Sequence, residues 1–269
     1  LRDFIDHRLP LFGDYQDAIA SGHPTLWHSR LSACLNLKLL DPREVCGAAI
    51  EAWEAGRAPI NAVEGFVRQI LGWREFVRGN YWTERPGYAE RNALGDGAAL
   101  PAWFWTGETD MACLADMLGQ LVEEAYAHHI QRLMVGGLFA MLWGAHPYRV
   151  HEWHMEMYLD AVDWVSLPNV LGMSQHADGG VMGTKPYAAS GAYIDRMSDC
   201  CARCRYDPRK AAGEDACPFT TLYWSFLDRH AGRFRGNRRM ALQIRNLERK
   251  ADELPAIRQA EASLRKAIG

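Results

Sequence analysis

A chain of 269 residues that is 48% hydrophobic, with ten Trp, ten Tyr and nine Phe, can bury one large core, as one big domain or two intimate ones. Its net charge of -3 argues against a protein that holds nucleic acid by overall charge alone, and no run of 18 apolar residues exists to span a membrane as a helix. The opening stretch LRDFIDHRLP is charged rather than signal-like, so a cytoplasmic protein is expected. It starts inside a helical pattern and without an initiator Met, as the C-terminal part of a longer protein would.

In chain order nearly every element reads as helical, and the expected fold class is all-α. After a turn at His23 to His28, the segments SRLSACLNLKLL, DPREVCGAAIEAWEAG and INAVEGFVRQILGWREFVRGNYW carry apolar residues at helical spacing, with Asp41-Pro42 as a helix start. Residues 83 to 106, ending in PAWFW, lack a period and read as a surface loop. A helix from about Asp110 leads to a central one, HEWHMEMYLDAV is helical, and LPNVLGMSQHADGGVMGTKPYAASG is too rich in Gly, Ser and Pro for regular structure. No strand-like alternation, internal repeat or low-complexity tract competes.

The central helix is expected to run from Glu123 to Trp143, with Ala125, His129, Arg132, Gly136 and Phe139 on one face. A guanidinium and an imidazole inside an apolar stripe cost several kcal/mol unless partners meet them, so this face is expected to pack on something polar or anionic, or to end at a wet rim. Gly136 and Gly137 weaken a helix by roughly 1 kcal/mol each, which points to close approach of another backbone or of a flat ligand.

Charge and cysteine are unevenly placed. Residues 201 to 250 hold 12 Lys+Arg against 5 Asp+Glu, with Arg233, Arg235, Arg238, Arg239 and Arg245 beside Tyr223, Trp224 and Phe234. This is either a phosphate-facing surface or a solvated helix face. Seven cysteines without a secretory signal argue for thiolate ligands or buried thiols. Cys201-Ala-Arg-Cys204 and the later Cys217 give three sulfurs at metal-ligand spacing, and Cys113 is chosen as the fourth; an iron-sulfur cluster and tetrahedral zinc both fit such a set. Cys34 and Cys46 read as small buried hydrophobes, and Cys200 has the poorer spacing.

The motifs FGDYQDAI, HSRLSACLNLKLL, EGFVRQILGWREFVRGNYW, HHIQRLMV, MYLDAVDWVSLPNVLGMSQHADGG and the Cys-x-x-Cys with its later Cys-Pro occur together in one order. In them the chain resembles the C-terminal FAD-binding domain of the photolyase and cryptochrome family, most closely its bacterial iron-sulfur branch. The resemblance covers about residues 12 to 220. It implies one helical FAD-binding domain over 1–269, a 4Fe-4S cluster on Cys113, Cys201, Cys204 and Cys217, and an N-terminal α/β antenna domain, able to carry an antenna chromophore, in the full-length protein. It further implies that Tyr15, His28, Ser29, Leu31 and Ser32 line the phosphate and ribitol region, with His28-Ser29 standing where many relatives have Thr-Ser. Arg74, with Gln69 nearby, is expected at the diphosphate. Arg132 is expected beside the flavin and paired with Asp160, Asp160 and Asp163 lying three apart on one helix, and Asn169 near flavin N5.

The same resemblance bears on substrate. His129 stands three residues before Arg132, where (6-4) photolyases and animal cryptochromes have His and cyclobutane-dimer photolyases have Asn. An imidazole can give a proton near neutral pH where a carboxamide cannot. His129 is thus expected to be catalytic, with His128, Met173, Tyr187 and Tyr193 lining the lesion pocket; ordinary aromatic packing would also account for the two tyrosines. Trp153 and Trp105 match the inner and outer electron donors of the branch, and His154 stands where relatives often have an aromatic relay. The expected activity is light-driven repair of (6-4) photoproducts in UV-damaged DNA by a monomer, with a blue-light photoreceptor as the alternative.

Overall fold

The computed structural model describes residues 1–268. Fifteen labels suffice for its α-helical segments: α1 (Leu9–Tyr15), α2 (Ser32–Asn36), α3 (Pro42–Glu54), α4 (Ile60–Val67), α5 (Glu75–Thr83), α6 (Ala112–Glu124), α7 (His129–Gln131), α8 (Leu138–Trp143), α9 (Pro147–Met157), α10 (Asp163–Pro168), α11 (Gly191–Met197), α12 (Pro218–Arg229), α13 (Ala231–Phe234), α14 (Ala241–Arg249) and α15 (Leu254–Ile268). Strand pairing among the described residues is confined to isolated bridges, such as Ile19 with Ser198. The all-α expectation holds.

Two apolar cores organise these helices. Phe4, Leu9, Phe12, Val45, Ala49, Ala62, Val63 and Phe66 form the smaller, from α1, α3, α4 and the turn before α1. The larger gathers Leu114, Leu118, Leu138, Phe139, Leu142, Trp153, Leu171, Phe219 and Phe226 from α6, α8, α9, α12 and the turn after α10. Asp41 caps α3 as its sequence suggests, accepting from the Arg43 N–H at 2.8 Å, with Pro42 at the first helical position. Between α4 and α5, between α7 and α8, and after α10, the helix passes through wide π-type turns at Arg68–Arg74, Arg132–Gly137 and Asn169–Ser174. Such turns re-aim side chains and gather at functional sites, and these three carry Arg74, Arg132 and Asn169.

Three expectations are corrected. The central helix is broken: α6 stops at Ala125, in the left-handed region at φ 50°, and α7 restarts at His129. The break is held by tertiary hydrogen bonds, because the Ala125 carbonyl accepts from Leu159 N at 2.9 Å and the Ala127 carbonyl from Arg132 Nε at 2.6 Å. The helix expected over SRLSACLNLKLL shrinks to α2, bracketed by Arg30 at φ 56° and Lys38 at φ 58°, and Leu37 and Leu39 face solvent despite their helical spacing. LPNVLGMSQHADGG does contain regular structure, as α10 and its wide turn run from Asp163 through Ser174. Irregular chain begins only at Gln175, where Asp178 organises it by accepting from the N–H groups of Gly180 and Met182 at 2.9 Å each.

The glycine pair does mark close packing, although of protein rather than ligand. A Cβ on Gly137 would stand 2.3 Å from Ser174 Oγ and 2.7 Å from the Arg132 carbonyl, and one on Gly136 would stand 2.8 Å from the Met117 methyl. Gly137→Ala should therefore destabilise by about 1 to 3 kcal/mol in thermal unfolding. Gly119→Ala, with nothing within 4 Å of its added carbon, should be neutral or gain up to about 1 kcal/mol. Equal melting temperatures for the two variants would contradict this packing.

Candidate functional site at the seam of the two cores

The seam is centred on an ion pair. Arg132 reaches Asp160 with two parallel hydrogen bonds, at 2.9 and 3.1 Å, while Nε takes the Ala127 carbonyl and the guanidinium lies 4.1 Å over the Tyr158 ring. From the other core, the Ser32 hydroxyl donates to the same Asp160 carboxylate and Asn36 Nδ2 donates to its backbone carbonyl at 2.8 Å. Burial alone would push the Asp160 carboxyl up, but the Arg132 charge and the hydrogen bonds of Arg132 and Ser32 outweigh it and hold the group below its ordinary range. Asp163 does not share this role. Asp160 sits in a turn before α10 and Asp163 opens α10, so the two are not on one helix; Asp163 takes the Tyr81 hydroxyl and His151 Nε2, the latter at 3.2 Å.

A second polar group flanks α2 on its C-terminal side. Arg74 donates to the Leu35 carbonyl at 3.4 Å and lies 4.7 Å over Trp164, and its nearest carboxylate, Glu75, is 3.9 Å away. Burial lowers its pKa against the pull of Glu75, the one carboxylate within ion-pair distance among the described residues. Asn169 accepts from Trp73 Nε1 at 3.1 Å and donates to the Val165 carbonyl at 2.8 Å. Of the remaining candidates, Leu31 is buried, Ser29 Oγ accepts from Leu31 N at 3.3 Å, and Tyr15 and Gln69 are exposed and outside both polar groups.

Beside the ion pair lies a cluster of imidazoles. His28 and His128 stack face to face, with ring centres 4.4 Å apart and planes at 11°, and His129 meets His28 edge-on at 5.1 Å. Both ring nitrogens of His128 and Nε2 of His28 are buried without a hydrogen-bond partner. Burial pulls the pKa of His28 down to about 3 and that of His128 to about 2, so both are neutral near pH 7. His129 differs: its side chain is 53% exposed and donates from Nε2 to Asp17 Oδ1 at 3.2 Å. That hydrogen bond holds the Asp17 carboxyl below its usual range. Tyr193 is half-buried, its phenol pushed up by burial and by the Asp17 charge, whereas Tyr187 is exposed and Met173 half-buried in the turn after α10.

The four chosen cysteines converge. Cys113 from the first turn of α6, Cys201 and Cys204 from the turn before residue 205, and Cys217 at the head of α12 line one cavity with Met111, Tyr206 and Phe219. Cys200 lines it too, with the Ser21 hydroxyl 3.5 Å from its sulfur. Burial, then the neighbouring sulfurs, raises the Cys113 thiol well above its ordinary pKa and the Cys201 thiol to about 12. No three His, Cys, Asp or Glu side chains among the described residues gather as ligands of a single metal ion.

No protein-family model matches the chain. It is 51% identical to the (6-4) photolyase of Agrobacterium fabrum over 263 residues, which are 98% of this chain and 52% of that protein. The chain belongs to the photolyase and cryptochrome family. It spans about half the length of that curated relative. An uncharacterized protein of Acanthamoeba polyphaga mimivirus is 34% identical over 108 residues, covering 40% of this chain and 80% of its own. Among solved structures, a class III photolyase from Agrobacterium tumefaciens superposes with a TM-score of 0.61 at 16% identity, over 86% of this chain and 54% of its own, a likeness of fold.

The aromatic residues beside the pair add what spacing alone did not suggest. Tyr158, with its hydroxyl unpartnered, lies between Arg132 and Trp153 and stacks on His154 at 4.7 Å. Trp153 donates to the Phe104 carbonyl at 3.2 Å and meets the Phe104 ring edge-on at 5.2 Å, while Trp105 is exposed and donates to Glu156. Phe104, adjacent to Trp105 in sequence, thus touches Trp153, as do the rings of His154 and Tyr158. The central pair yields a stability prediction. Asp160→Ala should cost about 1.5 to 3 kcal/mol in urea unfolding, since it strands a half-buried guanidinium. Ser32→Ala should cost roughly 1 to 3 kcal/mol for its hydrogen bond to a charged group. Because the folded Asp160 pKa is depressed, the stabilisation is present above the carboxyl's unfolded value of about 3.9 and is lost as pH falls through the folded value.

Proposed function

We propose that this chain is the FAD-binding half of a light-driven enzyme that reverses (6-4) pyrimidine photoproducts in UV-damaged DNA. The observation that carries the reading is the half-exposed His129, one helical turn from the half-buried Arg132–Asp160 pair and hydrogen-bonded to Asp17. The (6-4) photolyase relative supports it. The residues fit FAD, because the seam holds polar groups awaiting partners: the His28 and His128 nitrogens, the Tyr158 hydroxyl and the weakly paired Arg74. Arg74 would hold phosphate oxygens, and Arg132, Asp160, Ser32 and Asn169 would lie along the remaining polar edge. Bound there, reduced FAD excited by blue light would lend the electron that opens the lesion and take it back when the bases are restored.

Chain groups do the rest. A damaged base leaves the stack at low cost because its pairing is already lost, and Tyr187, Tyr193 and Met173 would border its pocket. His129 then delivers a proton as the electron arrives. His28 and His128, neutral at this pH, exclude water and leave His129 as the proton donor of the trio. Trp153 would be the inner and Trp105 the outer donor when the flavin is photoreduced, with Phe104 between them. His129→Asn in the full-length protein should bind FAD and damaged duplex normally while losing about 100- to 10,000-fold in single-turnover repair. Repair at the wild-type rate would remove the proton-donor role, and a wild-type protein that binds but never repairs would leave photoreception as the function.

The cysteine cavity fits a 4Fe-4S cluster on Cys113, Cys201, Cys204 and Cys217. Its donor set is all thiol, supplied by three separate segments, and metal thiolate bonds would relieve the cost of burying so many sulfurs together. Purified protein should contain about four iron and four sulfide per chain, and Cys113→Ala should lose both along with thermal stability. Zinc without iron would refute the cluster.

A further inference from the structure

The cysteine cavity holds one sulfur more than the proposed cluster uses. Cys200 lines it together with Cys113, Cys201, Cys204 and Cys217, while Cys34 and Cys46 lie away from it in α2 and α3. Of the five it is the most buried, with 1% of its surface exposed, whereas Cys201 and Cys204 are part-exposed. The doublet Cys200-Cys201 thus places a sheltered thiol directly beside an open one.

The walls of this cavity differ in how firmly they are held. Cys217 heads α12, where its carbonyl accepts from Thr220 N at 2.9 Å and Thr221 N at 3.0 Å, and an added Cβ on Gly191 would stand 2.7 Å from its sulfur. Cys113 is fixed in the first turn of α6. Cys200 and Cys201 instead open a single 3-10 turn, Cys200–Arg203, whose hydrogen bonds have poorer geometry than those of an α-helix. The Cys200 sulfur is lightly held as well. Its polar neighbour is the Ser21 hydroxyl at 3.5 Å, and that hydroxyl already has Asp199 at 2.9 Å. Adjacent Cα atoms are about 3.8 Å apart, so a twist of this turn can carry one sulfur in as it carries the other out.

We propose that Cys200 is a reserve ligand, which takes the place of Cys201 at the metal centre when the Cys201 thiolate is lost. This rests on the reading of the cavity as a cluster site. In the exchange one iron–sulfur bond to Cys201 breaks and one to Cys200 forms. The Cys200 thiol proton passes to the departing thiolate, or to water where residue 201 has no sulfur, and no electron moves. The replacement is specific to Cys201, because Cys113 and Cys217 belong to other helices and Cys204 to the far end of the turn. A reagent from solvent meets the part-exposed Cys201 before the buried Cys200, so the doublet keeps a thiol in store where loss is easiest.

The test is metal and sulfide content, with the iron Mössbauer spectrum, of the full-length protein as wild type, Cys200→Ala, Cys201→Ala and the double variant. Each single variant should keep about four iron per chain, and the double variant should lose them as Cys113→Ala does. The spectrum should be unchanged in Cys200→Ala and altered in Cys201→Ala, which reports the new ligand. Loss of iron from Cys201→Ala overturns the reserve role. Loss from Cys200→Ala, or a spectrum altered in that variant alone, makes Cys200 the resting ligand and overturns it too, and a cluster retained in the double variant shows that nothing has to replace Cys201. Zinc in the wild type strikes the cluster reading, yet the same pattern of retention followed as zinc leaves the reserve thiol standing. A wild type without metal overturns both.

Discussion

The Arg132–Asp160 pair is the constraint on which the seam depends. A buried guanidinium is tolerated only when its donors are taken, and here five residues take them or support the acceptor: Ala127 through its carbonyl, Tyr158, Asp160, Ser32 and Asn36. The broken helix follows from this. A continuous helix through 125–128 would withhold the Ala127 carbonyl from Arg132 Nε and the Ala125 carbonyl from Leu159. The break also sets His129 at the start of a new helix, so its ring turns out towards Asp17 while Arg132, three residues on, turns in. One local distortion thereby separates a proton-competent group in water from a fixed charge in the interior.

The segment after α1 ties this corner to the cysteine cavity. Asp17 holds His129, Ile19 pairs with Ser198, and Ser21 donates from its backbone and hydroxyl to Asp199 while touching Cys200. Two residues of one short stretch thus touch the catalytic candidate and the cavity wall. A defect in the thiol site would loosen the partner of His129 as well as the local fold, because both hang on the same few hydrogen bonds.

What the sequence disclosed depended on whether apolar spacing or tertiary contact decided the local structure. For Pro42–Glu54, Val45, Ala49 and Ala52 face a core and Asp41 caps the start, so periodicity sufficed, and in the run from Ile60 to Thr83 it found the helix but not the wide turn at Arg68–Arg74. In SRLSACLNLKLL the same spacing misled, since Leu37 and Leu39 are exposed and the chain turns left-handed at Arg30 and Lys38. EEAYAHHIQ contains no Gly or Pro to announce its break. The glycines of VLGMSQHADGG suggested a loop, yet Gly172 lies within helix because the following loop folds back onto it: an added Cβ would meet Asp178 and Met182 at 2.4 Å. At the site, the thiols were legible from residue type and spacing, a polar partner for Arg132 from its place in an apolar stripe, and Asp160 as that partner only from the family resemblance. Tyr158, Phe104, Asp17 and the partnerless His28–His128 stack were not, because each matters through a neighbour distant in sequence.

The His28–His128 stack governs charge at this corner. His28 lies buried against His128, ring centres 4.4 Å apart, where charge on either imidazole is disfavoured. Burial first, and neighbouring positive groups second, hold both well below an ordinary histidine, while His129 stays open to water and bonded to Asp17. The unpartnered nitrogens of the stack face the interior, where an acceptor-rich cofactor edge could take a hydrogen bond from one tautomer without any change of charge.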